Sequence, residues 1–267
     1  MKTLIVSKSD LIKAKRWDID FHLPAEKIKK FPKSIVKQVK DVACIRKEKR
    51  DPRLEKEAPF KYIDISCIDV RTGLLNNHQD LLGEEAPSRA RKVVSAFDII
   101  ISTCRPTRGA IAVVPIDYHN EIASTGFAVL TARDNINPYY LFFALRLGST
   151  LEQFRKFSTG SSYPAILDED VLKTWIPVPS IEEQDRIAKE VFLQIQSRER
   201  KIMEADAIMK NQFHSLEQSL SSDHAVNFSK PDCLFSDDDF GLDKITAIKS
   251  DLQQLKTTQT IKDGLAE

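Results

Sequence analysis

The stretch Trp175 to Val191, WIPVPSIEEQDRIAKEV, changes character halfway along. Its first half, Trp175, Ile176 and Val178 with Pro177 and Pro179, is apolar and extended, and two prolines cannot donate to a ladder of backbone hydrogen bonds. Such a strand belongs at a sheet edge. Its second half opens a helix. Ser180 followed by Glu183 has the spacing of a capping box, and Glu182, Glu183 and Asp185 crowd the first turn, where the helix dipole favours acids. From Ile181 to Leu220 there is neither glycine nor proline, and apolar residues recur at Ile187, Val191, Ile195, Ile202, Ala205, Met209, Phe213, Leu216 and Leu220, with Arg198 and Glu199 interrupting. A helix of that length extends roughly 60 Å. It should project from the body and pack on another long helix. Two shorter helices, bent near residues 196 to 201 and folded onto the body, are the alternative.

Upstream, KYIDIS (61 to 66) alternates as a half-buried strand does, and VVSAFDIIIS (93 to 102), GAIAVVP (109 to 115) and GFAVLTA (126 to 132) read as buried strands. Most follow one another too closely for helical crossovers, which predicts a mixed or antiparallel sheet and argues against a doubly wound one. At NINPYYLFFALRLGSTLEQFRKF the period changes. Asn137 can cap, Pro138 suits a first turn, and Tyr140, Phe143, Ala144 and Leu147 fall on one helical face. The loop STGSSYPAI (158 to 166) and a short helix around DEDVLKTW lead back to the opening stretch. Beyond Leu220 the chain is acidic to Phe240; then Leu242, Ile245, Ile248, Leu252 and Leu255 mark a second amphipathic helix, a partner for the first or a dock for another subunit. The fold class expected is α+β: a β-rich domain (1–179), a long helix (180–220), and an acidic linker with a terminal helix (221–267).

The 267 residues carry a net charge of +1, but residues 1 to 60 hold 17 Lys and Arg against 9 Asp and Glu, and the last 47 residues are acidic. A basic quarter on a near-neutral body fits a polyanion met by one face. The N-terminus makes a poor signal peptide and no run is long enough to span a membrane, so the expected location is the cytoplasm. Cys44, Cys67, Cys104 and Cys233 stand apart, without metal spacing, as free thiols do in a reducing compartment.

Catalytic signatures fail. There is no G-x-G-x-x-G, P-loop, H-E-x-x-H or G-x-S-x-G. Asn137-Pro138-Tyr139-Tyr140 lacks the second proline of the methyltransferase N-P-P-Y loop and reads better as a helix start. Asp98 and Pro231-Asp232 have no E-x-K partner of a nuclease, so no catalytic residue and no metal ligand is assigned.

The strand ending I-P-V-P, followed at once by S-I-E-E-Q-x-x-I and a long helix, resembles the specificity (S) subunits of type I restriction-modification systems. RWDIDFHLP (16 to 24), DIIISTCRPTRGAIAVVP (98 to 115), STGFAVLTA (124 to 132), INPYYLFFALRLGS (136 to 149) and FSTGSSYPAILDEDVL (157 to 172) match in order. The resemblance implies a non-enzymatic DNA-recognition subunit: residues 1–179 would be the target-recognition domain, residues 180–220 the helical spacer, and partner modification subunits would bring S-adenosylmethionine and methylate adenine, with a restriction subunit alongside. Such subunits usually carry two recognition domains, and this chain shows one set. A half-size form that homodimerises through Ile187, Val191, Ile195, Ile202, Met209, Phe213, Leu216 and Leu220 would read a two-part site in double-stranded DNA. The alternative is a protein-interaction adaptor or inhibitor on the same domain.

Candidate DNA contacts lie on loops between strands, where arginine can grip guanine with two hydrogen bonds and lysine meets phosphate. They are Arg89, Arg91 and Lys92; Arg105 and Arg108; Arg155, Lys156, Ser161, Ser162 and Tyr163; and the basic cluster Arg46, Lys47, Lys49 and Arg50.

Overall fold

The structure, a computed structural model, describes residues 5–14, 16–17, 19–22, 27–160, 162–220, 241 and 243–252. Strands β2 (Ala43–Ile45), β6 (Ile99–Ser102), β7 (Ile111–Val113) and β9 (Phe127–Ala132) form an antiparallel sheet in the order β2-β9-β6-β7. A second sheet, β4-β3-β8-β5, joins β3 (Pro59–Ile63), β4 (Gln79–Leu82), β5 (Ala90–Val93) and β8 (Ile122–Ser124), with one parallel pair, β3 to β8. Both sheets match the mixed, largely antiparallel expectation.

Strand β6 explains why its sequence does not alternate. Ile99 and Ile101 face a core shared with helices, whereas Ile100 faces a core shared with Ile63 and Ala123 of the second sheet. A strand covered on both faces has no polar side. VVSAFDIIIS is not one strand but the end of β5, a turn with Phe97 at φ 67°, and β6.

Helix α4 (Pro138–Arg146) starts as its sequence predicts, with the Asn137 side chain accepting from the N–H groups of Tyr139 and Tyr140. It is not one-faced: Tyr139, Leu141, Phe142 and Leu145 are buried along with Tyr140 and Ala144, and Phe143 is half-buried. The helical segment divides at Leu147, where ψ is 143°, and α5 (Gly148–Phe157) begins again beyond it. Short helices α1 (Lys8–Ala14), α2 (Ile19–His22), α3 (Val39–Val42) and α6 (Asp168–Lys173) complete the body.

The proline strand, β10 (Trp175–Pro177), pairs antiparallel with β1 (Val36–Gln38) in a two-stranded ribbon. The groups this ribbon leaves open are taken by side chains. The Gln153 amide accepts from Trp175 N–H and donates to Trp175 O, both at 2.8 Å; Tyr140 Oη donates to Pro177 O at 2.9 Å; and Gln184 Nε2 donates to Pro179 O at 2.9 Å.

Helix α7 (Ile181–Leu220) is a single 40-residue helix, as the absence of breakers predicts. The capping box at its start is rearranged. Glu183 N–H lies 3.5 Å from Ser180 Oγ, but the Glu183 carboxylate clasps Arg186 at 2.7 and 2.8 Å. A backbone N–H first, and Ser180 after it, hydrogen-bond the Glu182 carboxylate instead and hold it below the usual carboxylate range.

The apolar stripe of α7 divides in two. Ala188 and Phe192 are buried, and Ile187 and Ile195 pack beside them on the body's own core, where the Phe192 ring meets Tyr139 edge-on at 4.8 Å. The assignment of Ile187 and Ile195 to a dimer face is therefore narrowed. Part of their apolar area is covered within the chain, and they are half-buried like Val191 beside them. Farther along, Ile202, Met209 and Phe213 are 37%, 55% and 61% exposed, joined by Met203 and Ile208. The side chains of Leu216 and Leu220 lie outside the described residues, as do Leu242, Leu255, Pro231, Asp232 and Cys233.

Residues 243–252 are helical. Ile245 is 1% exposed, Ile248 and Leu252 pack on the same core, and the Lys249 ammonium lies 5.8 Å from the Phe97 ring centre. The terminal helix is thus docked on the body, and burial holds the Lys249 ammonium below its usual value. Among the described residues no helix is long and apolar enough to cross a membrane.

Candidate nucleic-acid interface

The predicted basic residues fall into two neighbouring groups. The segment around Arg46 to Arg50 runs beside Ala90 to Val93: Arg50 N–H donates to Arg91 O, and Lys49 bridges to Lys92. The second group brings together Arg105 to Arg108, the end of α5, and residues 158 to 165. The turn between β8 and β9 joins the groups, for Thr125 N–H donates to Arg89 O while Gly126 O accepts from Thr103.

Within the first group several side chains do internal work. Arg46 grips Asp98 through Nε at 2.5 Å and Nη2 at 3.2 Å. Asp98, 1% exposed, also accepts from Thr131 Oγ1 and Ser95 N–H, so it is a buried structural acid rather than a surface or capping one. Arg91 donates to Ala90 O and pairs with Asp51; Lys92 pairs with Asp168 at 2.7 Å and donates to Phe127 O; Arg50 donates to Asn120 O. Removing Arg46, Arg91 or Lys92 from its partner to meet a base would strand a part-buried acid or carbonyl, whereas the Asn120 carbonyl that Arg50 holds is exposed. Arg46, Arg91 and Lys92 are corrected from DNA contacts to fold anchors; Arg50 is half-buried, and Lys47, Lys49 and Arg89 remain exposed.

The second group is a clamp. Arg105 has φ 49° and ψ 52°, the left-handed region, although Pro106 follows and a residue before proline is normally extended. Its N–H donates to Pro164 O at 2.7 Å, its Nη2 to Ser162 O at 3.3 Å, and its guanidinium lies 4.5 Å from the centre of the Tyr163 ring. The strained backbone is over-determined by these contacts. Tyr163 is 68% exposed, and Ser162 and Arg108 are exposed as well. Gly109, at φ 72°, lets the chain turn back into β7. Arg155 and Lys156 are half-buried on α5, where burial pushes the Lys156 ammonium down. Ser161 lies outside the described residues.

Two positioning arginines escaped the sequence reading. Arg16 donates to the carbonyls of Lys156, Phe157 and Ser158 at 3.5, 3.1 and 2.8 Å, capping the C-terminal end of α5 where the clamp loop departs. Arg146 donates to Gly109 O at 2.9 Å and to Val70 and Arg71 carbonyls at 2.8 and 2.9 Å, fixing two further loops. Carbonyl recognition leaves no periodic trace in sequence. Among the described residues no group of three or more His, Cys, Asp or Glu is placed to hold a metal ion.

Comparison with known proteins follows the same lines. The Type I restriction enzyme HindI specificity subunit of Haemophilus influenzae is 31% identical over 130 residues, which cover 46% of this chain and 28% of that protein. The crystal structure of an HsdS subunit from Thermoanaerobacter tengcongensis is 38% identical, with a TM-score of 0.57 over 69% of this chain and 47% of that one. A chain solved in work on the assembly and conformational transition of the type I restriction-modification system is 35% identical, with a TM-score of 0.57 over 73% and 51%. The chain thus spans about half the length of these solved relatives and less of HindI. The model of the type I restriction modification DNA specificity domain matches residues 33–202, from β1 through the proline strand and well into α7, and by that match the chain belongs to the type I restriction-modification specificity subunit family.

Proposed function

We propose that this chain reads one half of a two-part double-stranded DNA site and, as a homodimer held through the exposed part of α7, directs a partner adenine methyltransferase to that site. The clamp of Arg105 and Tyr163 reads a base edge: one guanidinium face is held by the ring and one N–H by Ser162 O, and the remaining donors are free to meet guanine O6 and N7. Arg108, and Arg89, Lys47 and Lys49 of the neighbouring group, add secondary contacts. The modification subunits supply S-adenosylmethionine and the transfer chemistry, a restriction subunit joins the same assembly, and the chain itself contributes recognition and geometry. The observation that carries this reading is the Arg105–Tyr163 clamp, with its left-handed Arg105 backbone, on the same body that anchors a 40-residue helix.

The test is co-expression with the neighbouring modification subunit and genome-wide mapping of methylated adenines. A two-part motif with inverted identical halves is expected; methylation without a motif, or unchanged when the chain is omitted, refutes the reading. The competing reading is a protein-interaction adaptor, favoured by the internal engagement of Arg46, Arg91 and Lys92. It predicts no steep loss of duplex binding as salt rises, unlike a protein that neutralises phosphates.

A further inference from the structure

Several cations of the body are compensated, as in Arg46 with Asp98, Arg53 with Asp51, Lys92 with Asp168 and Lys173 with Asp170. One stretch is crowded with lysine. Residues 27 to 40, KIKKFPKSIVKQVK, hold six lysines and no acid. Lys27, Lys29, Lys30 and Lys33 are all exposed; among the described residues Lys33 has no ion pair, and the Lys30 ammonium lies over the Phe31 ring.

Helix α5 links this stretch to the clamp. Lys27 N–H donates to Glu152 Oε2 at 3.1 Å, and the Lys27 ammonium reaches Gly148 at the start of α5. Glu152 shares its helical face with Arg155 and Lys156, three and four residues on. The same helix ends at Ser158, held by Arg16, where the clamp loop departs. From Glu152 to that end is roughly 9 Å at helical rise. Glu152 is the one acid of α5, and its carboxylate is turned to the Lys27 backbone.

We infer that Lys27, Lys30 and Lys33, with Lys29 beside them, form a phosphate-binding ridge that holds the DNA backbone next to the bases read at the clamp. The inference rests on the proposed DNA reading and extends it. A duplex presents a charge about every 1.7 Å of axis, so one seated on the clamp has phosphates within reach of a ridge this close. Mobile lysines suit this task, since a phosphate contact fixes position without reading sequence.

The test uses the full chain and a fluorescein-labelled 30-base-pair duplex of arbitrary sequence, with anisotropy titrations between 50 and 200 mM KCl. The triple variant Lys27→Gln, Lys30→Gln, Lys33→Gln should lower the slope of log affinity against log salt by about 0.9 for each phosphate it no longer neutralises. A variant of equal charge change on α7, Lys189→Gln, Lys201→Gln, Lys210→Gln, should keep the wild-type slope. With the modification subunit, the ridge variant should methylate the same motif at lower efficiency. An unchanged slope, an equal drop in the α7 variant, or failure to bind the modification subunit with the slope intact overturns the ridge alone. A wild-type chain that holds no duplex at 50 mM KCl overturns the ridge and the DNA reading together.

Discussion

Gln184 Oε1, in the first turn of α7, accepts the backbone N–H of Asn137 at 2.9 Å, and the Asn137 side chain donates to Asp185 Oδ1 at 2.7 Å. Gln184 and Asn137 are 1% and 0% exposed. Two helix starts, 47 residues apart in the chain, are thereby locked together, and Gln184 also holds the Pro179 carbonyl.

Replacing Gln184 by Leu keeps its volume but strands the Asn137 N–H and the Pro179 carbonyl. A destabilisation of roughly 2–4 kcal/mol is expected, two buried groups at about 1–3 kcal/mol each with partial relaxation. Urea denaturation checks it. An effect below about 1 kcal/mol would mean water replaces the amide.

Arg46 and Arg105 should separate cleanly. Arg46→Ala leaves Asp98 buried without its cation and should cost roughly 3 kcal/mol or more in stability. Arg105→Ala should fold near wild-type stability yet relax one base position of the methylated motif, a discrimination worth about 1–3 kcal/mol. Thermal melts and methylome mapping of both variants decide, and the same phenotype in both removes the distinction.

Tyr140 carries a pH signature. Burial pushes its phenol up to about 12, with the Glu183 charge adding to the shift, while its Oη donates to Pro177 O. The neutral form is favoured in the folded state, so this contribution is complete below about pH 10 and disappears as pH rises from about 10 to about 12. Its size is about 3 kcal/mol. Ultraviolet titration should show a tyrosine ionising late, and Tyr140→Phe should abolish that step and flatten the alkaline fall in stability.

The exposed half of α7 should govern assembly. Ile202→Glu, Met209→Glu and Phe213→Glu together should halve the mass measured by light scattering while leaving the melting temperature of the body within a few degrees, because these side chains touch no core. An unchanged mass refutes dimerisation through this face.

Arg16→Ala should free the end of α5 and the clamp loop with it. A destabilisation of about 1 kcal/mol is expected from three carbonyl contacts at a part-exposed helix end. Motif discrimination should fall further than stability does. Equal and small effects on both would confine Arg16 to capping.

The features with a local signature were legible in the sequence. Asn137 with Pro138 announced a helix start, the breaker-free run after Ser180 announced a single long helix, and Pro177 with Pro179 placed a strand at an edge. What escaped depended on contacts between distant segments. Period alone assigned Ile187 and Ile195 to a partner because nothing in their spacing reveals that Tyr139 and Phe142 lie beneath Phe192. Arg46 and Arg105 look alike in sequence; a buried acid 52 residues away makes one an anchor, and an exposed ring sets the other apart as a candidate reader.

The lock at Gln184 and Asn137 has a consequence for measurement of distance along DNA. A rod roughly 60 Å long magnifies any angular play at its base. A tilt of about 5° at the junction moves the far end by roughly 5 Å, more than the ~3.4 Å step between successive base pairs. In the proposed dimer a hydrogen-bonded amide and the Phe192 ring two turns farther on would act as a protractor, and their stiffness would set how strictly a two-part site must keep its spacing.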